Sequence, residues 1–359
     1  MAATTQHELR LYVASFNGGK SDGLVQFQFD RQSGELKLQP SFREGVQNPL
    51  YLATDPRQRF LFIADYVESC DGKPGGAICS YAIDHATGAL RFVGRQSSQG
   101  TAPCYVQASA DGKFALTANY GDGKVAVHPV SKNGELGPAT DVVTHTPPAA
   151  EPKKKAHAHS IVLDAANRFA FAGELGLDQV VGYRFDAAAG KLTRASVWNA
   201  KPGAGPRHFA FHPNGRFAYL INELDSTVVA FSYDRSAGKL TESQTLTTLP
   251  GGFSGKNYCA DLHVHPSGKF LYGSNREHDS IVIFAIDADT GRLELVGHEP
   301  TQGSFPRSFA LDPSGSFLLA GNEKSNHIVA FRVHATTGKL TPLAQKVEAL
   351  APACLCFVR

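Results

Sequence analysis

Residues 212–238 read HPNGRFAYLINELDSTVVAFSYDRSAG, and this stretch contains the two signals that decide the fold. A turn sequence leads into Phe217, after which apolar and polar residues alternate as they do in a half-buried β-strand. A second alternating segment runs from Val228 to a turn at Gly238. The stretch therefore predicts consecutive antiparallel strands, each bounded by turn residues.

The same two signals recur along the whole chain. Six phenylalanines open an equivalent strand after a turn, namely Phe60, Phe114, Phe169, Phe217, Phe270 and Phe317. Seven turn glycines follow the next alternating segment, namely Gly34, Gly88, Gly134, Gly190, Gly238, Gly291 and Gly338. A period of about 50 residues is typical of propeller blades with four strands. We therefore predict an all-β fold, a seven-bladed β-propeller of four-stranded antiparallel blades that forms one domain over residues 1–359.

The seventh copy of the strand opened by phenylalanine is divided between the two ends of the chain. Leu11 to Ser15 matches the second strand of the other blades, and Pro352 to Phe357 matches the first. Pairing of these two segments would close the ring and remove the exposed sheet edges that invite aggregation. We predict that the N- and C-terminal strands share one blade.

The composition narrows the choice of partner and compartment. A balance of 35 Lys and Arg against 33 Asp and Glu gives a net charge of +2, which favours neither nucleic acid nor an anionic membrane as partner. No segment approaches the ~18 consecutive apolar residues of a spanning helix, and no apolar stretch of a signal peptide precedes Glu8. We expect a soluble protein that binds a small molecule, cytoplasmic as written, or periplasmic if Met1 was added to a trimmed mature chain. The oligomeric state stays open.

The cysteines and histidines do not form a metal-binding pattern. None of the six cysteines belongs to a CxxC pair, and no histidine stands at zinc-finger spacing from them. His157 and His159 lie on one face of a strand, but no carboxylate completes a metal site. We predict no metal and no cofactor. Cys70 and Cys79 flank a turn, where a disulfide and two free buried thiols are both compatible with the spacing, and we favour free thiols.

Equivalent positions in the blades indicate a site at one mouth of the central channel. Ten residues before the phenylalanine, the blades present Leu50, Cys104, His159, Arg207, Ala260 and Arg307, with Ala353 in the divided blade. Six residues after it they present Tyr66, Tyr120, Leu175, Glu223, Arg276 and Glu323. Equivalent positions form a ring about the propeller axis, so side chains distant in sequence converge there. A slip of one residue in this register would turn them away.

Four residues of these rings suit the opening of a lactone, and we predict them as catalytic. They are His159, Arg207, Glu223 and Arg276. A histidine accepts a proton from water near neutral pH, and guanidiniums stabilise the negative charge that develops on a carbonyl oxygen. The glutamate would orient an arginine or the histidine. An ordinary structural ion pair is the alternative interpretation of each charged residue taken singly.

A further ring of polar residues ends the second strands and suggests a cradle for sugar hydroxyls. It contains Asp65, Asn119, Glu174, Asn222, Asn275 and Asn322, although asparagine is also common in turns. We predict substrate binding by His157, His208, Asn119, Tyr120, Glu174, Asn222, Asn275, Arg307 and Asn322. The run Lys153 to Lys155 would suit a phosphate group, but we favour a solvated loop.

Several motifs resemble those of a known family. They are His157-Ala158-His159-Ser160, Gly205-Pro206-Arg207-His208, Asn222-Glu223-Leu224 and the segment Ser274 to Ser280. They resemble the lactonase family of seven-bladed propellers, which includes bacterial 6-phosphogluconolactonases and the fungal carboxymuconate cycloisomerase. The resemblance covers essentially the whole chain and implies that the same four residues form the catalytic cleft. Two positions depart from the family pattern, with Glu174 where Asp is usual and Glu277 where Gly is usual.

The leading hypothesis is hydrolysis of a sugar δ-lactone, either gluconolactone or its 6-phosphate, without a metal or organic cofactor. The carboxylate of Glu277 beside Arg276 favours an unphosphorylated substrate as a real option. One alternative is a cycloisomerase that uses the cationic rim on a muconate-type dicarboxylate. Another is a non-catalytic binding propeller, against which the blades lack the Trp-Asp signature and kelch-type glycine pairs.

Overall fold

The four-stranded blade predicted from the repeat is present seven times. The structure, a computed structural model, describes residues 8–18, 23–42 and 44–359. Seven four-stranded antiparallel sheets account for nearly all of its regular structure, and a small hairpin pairs Ser69–Cys70 with Lys73–Pro74 in blade 2. In these residues no helix is long and apolar enough to cross a membrane. The all-β, seven-bladed prediction is confirmed.

In every blade the four strands follow one another from the channel outwards. Blade 1 contains Pro352–Val358, Glu8–Ser15, Leu24–Asp30 and Leu36–Leu38, and blade 2 contains Pro49–Thr54, Phe60–Asp65, Ala77–Ile83 and Leu90–Ser97. Blade 3 contains Pro103–Ala108, Phe114–Asn119, Lys124–Pro129 and Asp141–Thr144, and blade 4 contains Ala158–Leu163, Phe169–Glu174, Gln179–Asp186 and Lys191–Asn199. Blade 5 contains Pro206–Phe211, Phe217–Asn222, Thr227–Asp234 and Lys239–Thr247. Blade 6 contains Cys259–Val264, Phe270–Asn275, Ser280–Ile286 and Leu293–Pro300, and blade 7 contains Pro306–Leu311, Phe317–Asn322, His327–Val333 and Leu340–Glu348.

Blade 1 closes the ring as predicted. Its innermost strand comes from the C-terminus and pairs antiparallel with the N-terminal strand, so that Leu11 lies opposite Phe357 and Val13 opposite Leu355. These four side chains are buried in the core. The strands Glu8–Ser15 and Pro352–Val358 are therefore held together by a ladder of backbone hydrogen bonds and by apolar packing.

The two sequence signals turn out to be two halves of one contact between blades. In six of the seven blades the turn glycine lies against the phenylalanine of the preceding blade, and a Cβ built on Gly134 would lie 2.3 Å from the ring of Phe60. The same contact joins Gly34 to Phe317, Gly190 to Phe114, Gly238 to Phe169, Gly291 to Phe217 and Gly338 to Phe270. A larger residue at these turns would have to displace a buried ring. In blade 2 the turn glycine Gly88 lies against Gln26 and Arg10 of blade 1 instead. The repeat is thus conspicuous in the sequence because it forms the seams between blades.

Each innermost strand carries a β-bulge immediately after its first residue. In blade 5, Pro206 pairs with Asn222 and His208 pairs with Ile221, so that Arg207 has no partner in the ladder. Blades 2, 3, 4, 6 and 7 show the same irregularity at the same place. A bulge bends a strand and changes the direction of the extra side chain. Bulges therefore occur where the sequence placed the first ring of rim residues.

All six cysteines are free thiols. Cys70 and Cys79 are both buried, and burial raises the pKa of each thiol. The free thiols favoured from the sequence are what the structure contains.

Candidate functional site

The bulged residues and the ends of the second strands converge on one cavity of about 290 Å³, which we call the rim cavity. It is lined by Phe16, Leu50, Tyr66, Ala102, Cys104, Tyr120, His159, Glu223, Arg276 and Arg307. Arg207 lies directly below, in a narrow part of the central channel that His159 also borders. The four residues predicted as catalytic are therefore brought together, although blades 4, 5 and 6 supply them.

Glu223 connects two guanidiniums. One carboxylate oxygen accepts a hydrogen bond from Nε of Arg207 at 2.9 Å, and the other lies 2.9 Å from Nη2 of Arg276. All three side chains are largely buried, with 16% of Glu223, 3% of Arg207 and 8% of Arg276 exposed. Burial alone would raise the pKa of the Glu223 carboxyl, but the two guanidiniums lower it below its usual range. The glutamate is therefore ionised at neutral pH.

Backbone carbonyls of blade 6 complete the support of both arginines. Arg276 donates to the carbonyls of Tyr258 and Cys259 at 3.2 and 3.1 Å, and Arg207 donates to the carbonyl of Ala260 at 2.6 Å. Each guanidinium keeps one terminal nitrogen, Nη1 of Arg276 and Nη2 of Arg207, without a hydrogen bond to any described residue. Arg276 lines the rim cavity and can meet a ligand there directly, whereas Arg207 borders the narrow part of the channel below it.

His159 is buried at the wall of the rim cavity. The ring of Tyr120 meets it edge-on at 5.6 Å between centroids, and its Nδ1 has no hydrogen-bond partner among the residues that the structure describes. Burial, followed by the positive charge of Arg207, lowers the pKa of His159 well below its ordinary value. The imidazole is therefore neutral at neutral pH, and the same surroundings make it a weaker base than a free histidine.

Of the residues predicted to bind substrate, Tyr120 and Arg307 line the cavity. Arg307 lies 3.5 Å from Glu323, and its guanidinium stands 5.6 Å from the centre of the Phe16 ring. His157 stacks on Tyr120 and hydrogen-bonds the carbonyl of that residue at 2.7 Å, which places it behind the lining. His208 lies below Arg207 in the channel rather than at the mouth.

The residues of the predicted hydroxyl cradle do not line the cavity. Their side chains form hydrogen bonds within the blades and with the loops at the blade ends instead. Asn119, Glu174, Asn222, Asn275 and Asn322 are buried, and none of them lines the rim cavity. The amides of Asn119, Asn275 and Asn322 donate to the carbonyls of Ser98, Thr248 and Thr301, which belong to loops at the blade ends. Asn222 donates to Thr227, and Glu174 accepts from the backbone of His157 and contacts the His145 ring. The structure therefore does not bring these five residues to the cavity, and their substrate-binding role stays a prediction.

Replacing Asn119 with alanine tests whether this side chain stabilises the blade or binds substrate. The amide of Asn119 donates to Ser98 and Lys124, so its loss leaves buried carbonyls without a donor. We expect the free energy of unfolding to fall by about 1–3 kcal/mol, while KM for the substrate stays unchanged. Denaturant titration measures the stability and steady-state kinetics measure KM. A rise in KM without a loss of stability would support the predicted substrate-binding role of Asn119.

Two charged features of the sequence are neutralised locally. Glu277 pairs with Lys324 at 3.1 Å and does not line the cavity, so it does not act on Arg276 as an unpaired negative charge. Lys154 pairs with Glu151 and Asp178 at 3.1 and 3.2 Å. None of Lys153, Lys154 and Lys155 lines the rim cavity, which fits the solvated loop that we favoured over a phosphate site.

Sequence reasoning missed three contributors to the site. Phe16 and Ala102 come from loops, and Ala102 lines the cavity from a backbone with φ of +52°, which nothing in its residue type indicates. Asp261 was missed because it follows the ring position Ala260 and points down the channel. Its sequence signal is a carboxylate inside the strand Cys259–Val264, whose other residues are apolar apart from His263.

The structure also bears on metal binding. No group of three or more His, Cys, Asp or Glu side chains is placed to hold a metal ion within the described ranges. The expectation that no metal is needed stays a prediction, which hydrolysis measured in a chelator tests.

Comparisons with known proteins agree with this geometry. The family described as "Lactonase, 7-bladed beta-propeller" matches residues 10–357. A 6-phosphogluconolactonase of Bacillus subtilis is 34% identical over 302 residues, 84% of each chain, and one of Formosa agariphila is 35% identical over 313 residues, 84% of this chain and 86% of the other. The structure of the periplasmic gluconolactonase PpgL of Pseudomonas aeruginosa superposes with a TM-score of 0.89 at 33% identity, covering 98% of this chain and 99% of the other.

Proposed function

Because the chain belongs to the lactonase family of seven-bladed β-propellers, we propose that it hydrolyses a sugar δ-lactone, gluconolactone or its 6-phosphate, to the aldonic acid. The observation that carries the proposal is the bridge of Arg207 and Arg276 by Glu223 beside a neutral, buried His159. The functions named for the relatives, 6-phosphogluconolactonase and gluconolactonase, support hydrolysis over the cycloisomerase and binding alternatives.

In this proposal each catalytic residue has one role. His159 takes a proton from water as the oxygen of that water bonds to the lactone carbonyl carbon, and the carbonyl oxygen becomes negative. We assign the stabilisation of that oxyanion to the free nitrogens of Arg276, which lines the cavity, and of Arg207, which lies directly below it. When the carbonyl re-forms, the bond to the ring oxygen breaks, and the proton passes from His159 to that oxygen to give a hydroxyl. Glu223 keeps both guanidiniums in place throughout.

The cavity lining supports a sugar ring as the substrate. Tyr66, Tyr120 and Phe16 present aromatic surface to the cavity, which its charged side chains also line. Such surface packs against the C–H face of a sugar while polar groups address its oxygens. A ring held in this way would direct its carbonyl toward the guanidiniums.

The charge of the site favours the unphosphorylated lactone over its 6-phosphate. Arg207 and Arg276 share the single carboxylate of Glu223, which leaves one net positive charge for the developing oxyanion, and Arg307 lies 3.5 Å from Glu323. A phosphate dianion needs cations that are not otherwise neutralised. We therefore expect gluconolactone to be the better substrate.

The first test is the rate of hydrolysis of gluconolactone and 6-phosphogluconolactone above the spontaneous rate, with and without EDTA. We expect activity that EDTA leaves unchanged, with a higher kcat/KM for gluconolactone. Loss of activity in EDTA would overturn the metal-independent mechanism, and a preference for the phosphate ester would overturn the argument from charge. Absence of activity on both substrates would contradict the proposed function, and turnover of a muconate would then indicate a cycloisomerase.

A further inference from the structure

A continuous line of hydrogen-bonded side chains runs from the rim cavity down the central channel. Below Glu223 and Arg207, the Nη1 of Arg207 lies 3.2 Å from Nε2 of His208. The other ring nitrogen of His208, Nδ1, lies 2.9 Å from Oδ1 of Asp261. His263 continues the line, with its Nε2 3.2 Å from Oδ2 of Asp261, into a second cavity at the opposite mouth.

The chemistry of these groups fixes the proton on His208. A guanidinium has no acceptor, so Nε2 of His208 must be the unprotonated nitrogen that accepts from Arg207. The proton then lies on Nδ1 and is donated to the Asp261 carboxylate. In a neutral imidazole, the hydrogen bond made by one nitrogen decides which nitrogen carries the proton. Asp261 therefore selects a tautomer that turns His208 into an acceptor for Arg207.

The surroundings of His208 favour the neutral ring. Arg207 lies on one side, and the rings of His159, Tyr51 and Tyr105 meet it edge-on at 5.3, 5.8 and 5.5 Å between centroids. Burial, and next the charge of Arg207, lowers the pKa of His208 to about 4, although Asp261 opposes this shift. An imidazolium at this place would point an N–H at the guanidinium.

Asp261 is itself held rigidly. Besides His208, its carboxylate accepts from Oγ of Ser308 at 3.1 Å and from the backbone N–H groups of Leu262 and Phe309 at 3.0 and 3.3 Å. Burial alone would raise the pKa of Asp261, but its contacts with His263 and His208 lower it well below its usual value. A buried carboxylate with this many donors is a fixed anchor, because each oxygen is held from more than one side.

We propose that Asp261 and His208 are positioning residues, which aim the Arg207 guanidinium at the lactone oxyanion through the Nδ1–H tautomer of His208. This role rests on the proposed lactonase function. The residues do not touch the substrate, because Arg207 lies between them and the rim cavity. Their effect appears in the transition state, where the negative charge on the oxygen is greatest, and therefore in kcat rather than in KM.

The tautomer is tested without any measurement of activity. In the full-length protein labelled with ¹⁵N-histidine, the signals of His208 are identified by their absence in His208→Gln. We expect a protonated, pyrrole-type Nδ1 and an unprotonated, pyridine-type Nε2 at pH 7, the reverse of the form that predominates in free histidine. An Nε2–H tautomer or an imidazolium would overturn the proposal.

The positioning role is tested by kinetics on the same protein. We expect Asp261→Asn to lower kcat by about 10- to 100-fold, with KM changed less than twofold. His208→Gln keeps an acceptor for Arg207, so it should retain more activity than His208→Leu, which has none. The matched control is His212→Gln, just beyond the other end of the same strand, where the histidine holds the Gly268 carbonyl. That variant should lose stability but keep kcat.

The outcomes separate this inference from the proposed function. An inactive wild type would contradict the proposed function, whatever the tautomer of His208. An active wild type whose kcat survives Asp261→Asn in a folded variant would overturn the positioning role alone. Equal losses in His208→Gln, His208→Leu and His212→Gln would indicate general destabilisation and would also overturn it.

Discussion

Replacing His159 with glutamine is expected to lower kcat for lactone hydrolysis by about 10²- to 10⁴-fold, the usual contribution of a general base. Glutamine has a similar reach and polarity but cannot take a proton from water. Arg207 and Arg276 remain paired with Glu223 in the variant, so KM should change little. Steady-state rates, corrected for spontaneous hydrolysis, measure the effect.

The pH dependence of kcat in the wild type provides a second test of the role of His159. The pKa of His159 is lowered by burial and by Arg207, so its neutral form persists below the ordinary histidine value of about 6.5. We expect kcat to fall on the acid side only as the pH drops through that lowered pKa, and this acid limb to disappear in His159→Gln. An acid limb at or above pH 6.5 that is unchanged in the variant would assign the proton transfer to another group. His265→Gln is the matched control, because that histidine holds a turn carbonyl at Gly315 and should leave the profile unchanged.

Replacing Glu223 with glutamine is expected to lower the free energy of unfolding by about 3–5 kcal/mol, the usual cost of removing one partner from a buried ion pair. The amide oxygen can accept from only one guanidinium, so the amide nitrogen must face the other. Two largely buried cations then lie close together without a counter-charge. Chemical denaturation followed by fluorescence measures this loss.

The stability difference at Glu223 should also depend on pH with a definite sign. The folded-state pKa of this carboxyl is below its ordinary value, so its contribution is complete above that value and is lost as the pH falls through the lowered one. The matched control is Glu323→Gln, at the equivalent position of blade 7, where the glutamate contacts a single guanidinium at 3.5 Å and its loss should therefore cost less stability than the loss of Glu223. Equal losses in the two variants would contradict a special role for the bridge. Activity measured where Glu223→Gln is still folded should be lost in that variant only.

The repeat predicted the blades, the closure of the ring and the position of the four catalytic candidates, because each blade repeats the same burial pattern. The first ring came from counting backward from a phenylalanine that each blade buries against its neighbour. Counting residues from the phenylalanine does not reveal the bulge, because the bulge depends on how each innermost strand pairs with the second strand of its blade. Arg207 lies beside the rim cavity because its bulge turns it from the ladder, and residue order alone does not indicate that.

The structure does not bring the predicted cradle residues to the cavity, for a physical reason that particular residues make clear. Asn119 and Asn322 stand next to rim positions in the sequence, but successive side chains of a strand point to opposite sides. If Tyr120 points into the rim cavity, Asn119 points into the blade, where its amide meets the carbonyl of Ser98. Phe16 and Ala102 escaped prediction because loops without a repeat carry them.

The bulges also separate the residues that pair in the sheets from the residues that line the site. A residue without a ladder partner can be exchanged with little effect on the strand pairing around it, as the variety of Leu50, Cys104, His159, Arg207 and Arg307 at equivalent places illustrates. The same scaffold can therefore acquire a different chemistry through a few substitutions in one ring. The ring positions around the axis can therefore carry different side chains, and the reaction of this protein depends on which of those positions are charged.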